Sequence, residues 1–372
     1  MTSPSKPQFP KVPESDSAGI RNLGAGSGAD RAPGDATGLG SGHGTRLGSG
    51  PTSDPAARLA TGLTSDLSGL RIPLIAAPML RISDVALTSA AMRAGIVGAF
   101  PTLNARSSAG LRDWLTELDA IQASASGLFC PNLVMADAHA AEHAALVAES
   151  SARLVITSVG SPAPVTGLFA EAGIAVLADV ATVAHARKAV AAGAAGLVLL
   201  TAGAGGQTGW LNPFAFITAV REFFSGPVVL AGGMTGGRSL AAARVAGYDL
   251  AYAGTPFIAT EESPASSDYG AEITAATPDD ILLTSAFTGL PTNMLLPSIR
   301  AAGLDPAALD EEIRPEAAAE LFGNRARGLG PRRWADIHSA GHSVAGVRSV
   351  MSVEALVARF AEEYAAARDR PI

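Results

Sequence analysis

Two short glycine-centred segments hold the chemistry most readable in this chain, Ala231-Gly232-Gly233-Met234 and Gly254-Thr255-Pro256. Glycine lets main-chain N–H groups approach phosphate oxygens closely, and a helix N-terminus after such a turn adds a favourable dipole. One such pair could merely make a tight turn. Two pairs, each closing a strand, read as a phosphate site. A third run, residues 202–210 (AGAGGQTGW), contains Gly205, Gly206 and Gln207. A loop this rich in glycine either is mobile or passes tightly around a flat or charged ligand. It is not a Walker loop, because no Gly-Lys-Ser/Thr follows, and its spacing fails the dinucleotide fingerprint. Other strand ends add Ala77-Pro78-Met79, apolar and with a proline that lacks an N–H, and Pro131-Asn132-Leu133. Asn132, an amide among apolar neighbours, reads as a partner for a polar ring edge in preference to a turn residue. Asp179 closes another strand and is either a ligand contact or part of the N-cap region of the next helix.

These segments need a frame that gathers strand ends in one place. Short apolar runs at 73–79, 96–100, 128–135, 153–159, 174–180, 196–201, 227–231 and 249–254 alternate with helical stretches at 84–94, 107–124, 138–149, 164–172, 182–192, 213–224 and 237–246. Continuous apolar runs are the pattern of parallel strands buried on both faces. Gly95, Gly173, Gly193 and Gly247 stand where helices should stop, in the left-handed conformation that satisfies the last carbonyls. Eight β/α units over residues 72–260 predict an α/β chain folded as a closed (β/α)8 TIM barrel, favoured over a doubly wound sheet. Such barrels place their sites at the C-terminal strand ends, often with phosphate after strands seven and eight, where Gly232, Gly233, Gly254 and Thr255 fall. Residues 1–63, rich in Gly, Ser and Pro, read as a disordered tail, and 64–262 as the barrel. Residues 263–372 read as an extension packing on it: irregular at 277–297, helical at 304–322, and an amphipathic helix at 353–367.

Composition excludes several classes. The 372 residues are 48% hydrophobic and 16% charged, with net charge -7, so a nucleic-acid partner is not expected. Mean hydropathy is +0.26, yet apolar runs such as 194–202 fall well short of the roughly 20 residues of a membrane span. Cys130 is the single cysteine, which argues against a disulfide framework or a thiolate metal cage and suits a reducing cytoplasm. The first 55 residues form no secretory apolar segment. His139 and His143 have helical i,i+4 spacing but no third ligand, and read as a solvated face. His338 and His342 are interrupted by Gly341 and read as loop, so no metal site is expected. Cys130 falls on the third strand, unlike the loop nucleophile of barrel-shaped nucleotide dehydrogenases. Tyr269 and Ser285 are candidates to cover a ligand, with packing or loop roles equally open.

Taken in order, several segments resemble the nitronate monooxygenase (2-nitropropane dioxygenase-like) family, whose relatives include flavin-dependent enoyl-ACP reductases. The carriers are Ala77–Met79, Gly95–Gly98 (GIVG), Pro131–Leu133, Ser158-Val159-Gly160, Ala204–Gly209 (AGGQTG), Ala231–Met234 and 254–261 (GTPFIATE), and the likeness covers most of 72–364. The resemblance implies a flavin oxidoreductase that binds FMN non-covalently, with phosphate at Gly233 and Gly254–Thr255 and with Asn132 and Gly205–Gly206 near the flavin. It implies a small nitronate or enoyl-type substrate and molecular oxygen as partners, and leaves the oligomeric state open. One departure matters: the family usually has His after the paired glycines, and this chain has Gln207. A carboxamide can orient an anion but cannot abstract a proton near neutral pH. Oxidation of nitronates is therefore expected to outrun that of nitroalkanes. The competing readings are an NAD(P)H-dependent flavin enoyl reductase and a non-catalytic flavin or phosphate-ligand binding protein.

Overall fold

Eight parallel strands close on themselves in the computed structural model, which describes residues 55–323 and 330–369, all within the unit Gly50–Ile372. In chain order the strands are β1 Leu74–Ala76, β2 Val97–Pro101, β3 Leu128–Val134, β4 Leu154–Ser158, β5 Ala175–Val180, β6 Gly196–Leu200, β7 Gly206–Gln207, β8 Val228–Ala231, β9 Leu250–Ala253, β10 Ile281–Thr284 and β11 Thr292–Leu295. The barrel runs β1-β2-β3-β4-β5-β6-β8-β9, and the pairs Leu74↔Ala251 and Ala76↔Ala253 close it. The seventh and eighth barrel strands are thus β8 and β9, and the expected barrel topology is the observed one.

Local chemistry sets the helix ends. Asp84, Ser107, Thr182, Asn212, Ser266 and Ser352 each accept an amide of the first helical turn. Gly95, Gly173, Gly193 and Gly247, read as helix stops, all take positive φ. Buried rows alternate along the strands, so that Ala175 and Leu177 of β5 or Val229 and Ala231 of β8 fill the barrel interior.

Several details depart from the sequence reading. Residues 1–54 of the expected tail lie outside the described residues. The rest of that stretch enters helix Pro55–Ser68, whose Leu59, Leu63 and Leu67 pack into the interior cluster of the barrel. The stripe recurs every four residues, but Ala, Gly, Thr and Ser around it mask the periodicity. The stretch 277–297 is not irregular: β10 and β11 form an antiparallel hairpin, and β11 pairs with β7 through Thr292↔Gln207 and Asn293↔Gly206. Within 304–322, Pro306 and Pro315 start separate short helices, Pro306–Ala308 and Pro315–Phe322. Helix Val353–Arg368 forms as expected, and Gly237 allows its close approach to helix Gly237–Val245: a Cβ there would meet Phe360 O at 2.0 Å. His143 is buried and its Nδ1 lies 3.1 Å from Thr102 Oγ1, so only His139 fits the solvated face expected of the pair. Among the described residues no helix is long and apolar enough to cross a membrane, and no His/Cys/Asp/Glu group could hold a metal ion.

Candidate active site

The alternation that fills the barrel also builds the floor of a cavity at its mouth. At the end of each strand an inward-facing residue lines one cavity of about 420 Å3: Ala77, Pro101, Asn132 with Val134 beyond it, Ser158, Asp179, Leu200, Ala231 and Tyr252. Polarity is unevenly divided. Adjacent strands β3, β4 and β5 supply Asn132, Ser158 and Asp179, while β6, β8, β1 and β2 supply Leu200, Ala231, Ala77 and Pro101. Asn132 Nδ2 donates to Ser158 Oγ at 3.1 Å and to Ile156 O at 3.4 Å, which fixes its amide within this polar half.

The β6–β7 loop and the extension form the walls. Thr208 Oγ1 donates to Thr201 O at 2.9 Å, and Thr201 Oγ1 donates to Ala231 O at 2.8 Å, tying that loop to β8. Asn293 Nδ2 donates to Ala204 O at 2.7 Å, and Gly341 N donates to Thr255 Oγ1 at 2.9 Å. Gly205 has to be small, because a Cβ would lie 2.8 Å from Gly341 N. Arg333 and Trp334 roof the cavity with Leu290 and Pro315, and Trp334 (φ 64) and Val159 (φ 51) hold left-handed backbone at its rim. Such strain in non-glycine residues recurs where ligands are clamped.

Ala77, Pro78, Met79, Asn132, Asp179, Gly205, Gly206, Gln207, Gly232, Gly254 and Thr255 line this cavity, whereas Gly233 adjoins Gly232 and opens on space with nothing within 4 Å of a built Cβ. Tyr269 also lines it; Ser285 does not. Tyr252, Arg333, Trp334 and Ser339 were not foreseen. Tyr252 could have been found as the lone polar side chain of its strand; Arg333 carried no signal of its own.

Asp179 faces the cavity and does not cap the next helix, which Thr182 caps by accepting from His185 N. Asp179 Oδ1 is out of solvent with no hydrogen-bond partner, and burial lifts the carboxyl from 3.8 to about 7. A carboxyl raised in the folded state favours folding when protonated. Its contribution is complete below about pH 3.8 and is lost as the pH climbs to about 7. Asp179→Asn, isosteric and uncharged, is therefore expected to stabilise the cofactor-free protein above neutrality by about 2 kcal/mol, discounted for partial exposure, and to add little at low pH. Denaturant melts at both pH values check this; equal effects at the two would contradict it.

The cavity fits a flat, polar-edged ring with an anionic tail. Its floor offers an unpartnered carboxyl oxygen beside Asn132, and a Cβ on Gly254 would protrude to 3.2 Å from Met79 Sδ. Gly232 (φ 128) and Gly233 (φ 69) turn the chain at the end of β8 as a close-approach cradle requires. One amide is already taken: Gly237 N, opening the helix after β8, donates to Glu363 Oε2 at 2.8 Å and is not free for a ligand.

Fold and site together define a (β/α)8 barrel with a polar-floored cavity at the C-terminal ends of its strands. The nitronate monooxygenase family model matches residues 130–363, and the chain belongs to that family of flavin-dependent oxidoreductases. It is 27% identical over 241 residues to (3aS,4S,5R,7aS)-5-hydroxy-7a-methyl-1-oxo-octahydro-1H-indene-4-carboxyl-CoA dehydrogenase of Mycobacterium tuberculosis, a match covering 64% of this chain and 66% of that protein. It is 26% identical over 344 residues to nitronate monooxygenase of Paraburkholderia phytofirmans, covering 80% of this chain and 93% of that protein. In fold it is similar to FabK from Thermotoga maritima, with TM-score 0.70 and 23% identity over 83% of this chain and 97% of the other.

Proposed function

We propose that the chain binds FMN at the barrel mouth and oxidises alkyl nitronates with molecular oxygen in a reducing cytoplasm. The observation that carries this reading is the ring of strand-end residues, polar on one side and apolar on the other, beside the glycine turns of β8 and β9. The turn amides of Gly232, Gly233, Gly254 and Thr255 would hold the phosphate, and the floor would receive the ring. Bound FMN would accept the substrate's electrons and pass them to oxygen. Gln207, held on β7 by the pairing with Thr292, would orient the nitronate oxygens through its carboxamide N–H groups, while Leu290, Pro315 and Trp334 shelter the alkyl part.

Among the described residues that line the cavity there is no histidine, and the Gln207 carboxamide cannot act as the base that the family histidine provides at that position. A positioned base accounts for about 100-fold or more, so kcat/KM for a nitronate is expected to exceed that for its parent nitroalkane by that factor. Steady-state oxygen consumption with each form measures it, and equal turnover would contradict the role given to Gln207. A second reading, oxidation of an acyl thioester, is favoured by the acyl-CoA dehydrogenase relative and by the Arg333 guanidinium at the rim. Anaerobic bleaching of the FMN-loaded chain separates the readings: by a nitronate for the first, by an acyl-CoA for the second, and by NADPH alone for an enoyl reductase.

A further inference from the structure

We propose that Asp179 is the cofactor-facing acid of this pocket: its protonated carboxyl donates a hydrogen bond to an acceptor on the edge of the seated ring. When the pH rises, the same group becomes an anion beside that ring. The inference rests on the FMN reading and adds a function for one side chain of the floor.

Three observations lead to it. Asp179 follows Ala175 and Leu177 in the inward row of β5, so its side chain enters the mouth from below. Its Oδ1 is buried and without a partner in a protein whose other described buried side-chain N and O atoms are satisfied, save Thr88 Oγ1 and Arg359 Nε. A native orphan of this kind calls for a ligand group. Asn132, the neighbouring floor residue, cannot take the role with its amide hydrogens, because both are engaged by Ser158 Oγ and Ile156 O. An acceptor on the ring edge is left to the carboxyl proton.

The surroundings keep the proton in place. Cys130 on β3 and Tyr252 on β9 are the titratable groups that face Asp179 across the interior, and burial pushes both upward, so neither compensates a carboxylate with positive charge. The inward rows of the remaining strands near it are Ile156 and Ser158 on β4, Val198 and Leu200 on β6, Val229 and Ala231 on β8, Val97, Ala99 and Pro101 on β2, and Ile75 and Ala77 on β1. With no cation among them, and with Arg333 set in the roof of the cavity and adding nothing to the shift, desolvation holds the carboxyl near neutrality, at about 7. Ionisation converts a donor into an unsupported anion next to the ring, weakening the grip on FMN and opposing negative charge on the reduced cofactor.

The test uses the full chain loaded with FMN, titrated from about pH 5 to about pH 9, on either side of that value. In wild type the visible absorption bands of bound FMN should shift in a single-proton transition about one pH unit above the value of about 7 held by the free carboxyl, because a hydrogen bond donated to the ring retains the proton. FMN affinity should fall about tenfold across it, the scale of one hydrogen bond lost. D179N should retain FMN and show neither change, whereas C130S and Y252F should titrate as wild type. A chain that binds FMN with bands and affinity indifferent to pH overturns this inference alone, as does a D179N protein that still titrates or loss of the transition in Y252F or C130S. A chain that takes up no FMN overturns it together with the reading on which it rests.

Discussion

Gly232→Ala is expected to cost the protein its FMN, lowering affinity on the order of 100-fold, and to destabilise the apoprotein by about 3 kcal/mol. Gly232 adopts φ 128, which L side chains rarely take, and a Cβ would come within 2.6 Å of Thr201 Oγ1 and 3.1 Å of Ala204 N. Thr201 cannot simply turn away, since its hydroxyl ties β6 to Ala231 O. Relief therefore has to come from the turn itself, and the turn is the proposed phosphate cradle. Gly167→Ala is the contrasting control. It lies within helix Ala163–Ala172 with nothing within 4 Å of a built Cβ, and its replacement should leave FMN binding intact and stabilise by about 0.5–1 kcal/mol. Urea melts and FMN titrations of the two variants give both numbers, and similar behaviour of the pair would remove the special status of the β8 turn.

The second large effect is expected in the extension. Helix Ser267–Ala275 presents Tyr269 and Glu272 on one face, and His338 stacks on Tyr269 with ring centroids 4.0 Å apart. Glu272 Oε2 lies 2.5 Å from His338 Nδ1, while Glu272 Oε1 accepts from Ser298 N at 2.7 Å. Ser298 Oγ in turn accepts from His338 N, and Tyr269 Oη donates to Ser339 O. This buried network carries the segment that walls the cavity through Ser339 and Ala340. Glu272→Ala leaves His338 Nδ1 and the Ser298 amide without partners, while His338 Nε2 keeps Ala335 O, at a cost of about 3 kcal/mol. The thermal midpoint should drop by about 5 °C or more, and FMN affinity should weaken as the wall loosens. Glu272→Gln, which can still accept from Ser298 N, should lose less. An alanine variant as stable as wild type would show that the wall is held by packing alone.

Much of this arrangement is legible in the sequence, for identifiable physical reasons. Parallel strands buried on both faces leave unmixed apolar runs, and helices that end in a left-handed residue select glycine, so the β/α alternation and the stops at Gly95, Gly173, Gly193 and Gly247 could be read directly. The turn glycines after β8 were legible because Gly232 (φ 128) and Gly233 (φ 69) take positive φ, which side chains disfavour, and a Cβ on Gly232 would also meet Thr201 Oγ1 at 2.6 Å. What escaped depends on partners distant in sequence. β7 is a two-residue strand that exists only because Thr292 and Asn293 pair with it, and no local pattern encodes that. The stripe of Leu59, Leu63 and Leu67 is helical in spacing but lies beside a glycine- and serine-rich segment that dominates its composition. Asp179 faces the cavity while Thr182 caps the following helix, a division of roles that no local pattern encodes. Arg333 reaches the cavity only because the extension folds back over the mouth, and its burial, which lowers its pKa, is invisible in the chain.

The central claim is that turn amides at the ends of β8 and β9 hold the anionic tail of the flavin. Parallel equilibrium titrations of the cofactor-stripped chain with FMN and with riboflavin, which share the ring and differ in the phosphate, address it most directly. FMN is predicted to bind about 100-fold more tightly, the scale of a few charge-assisted hydrogen bonds. Equal affinity for the two, or binding of neither, would contradict the account.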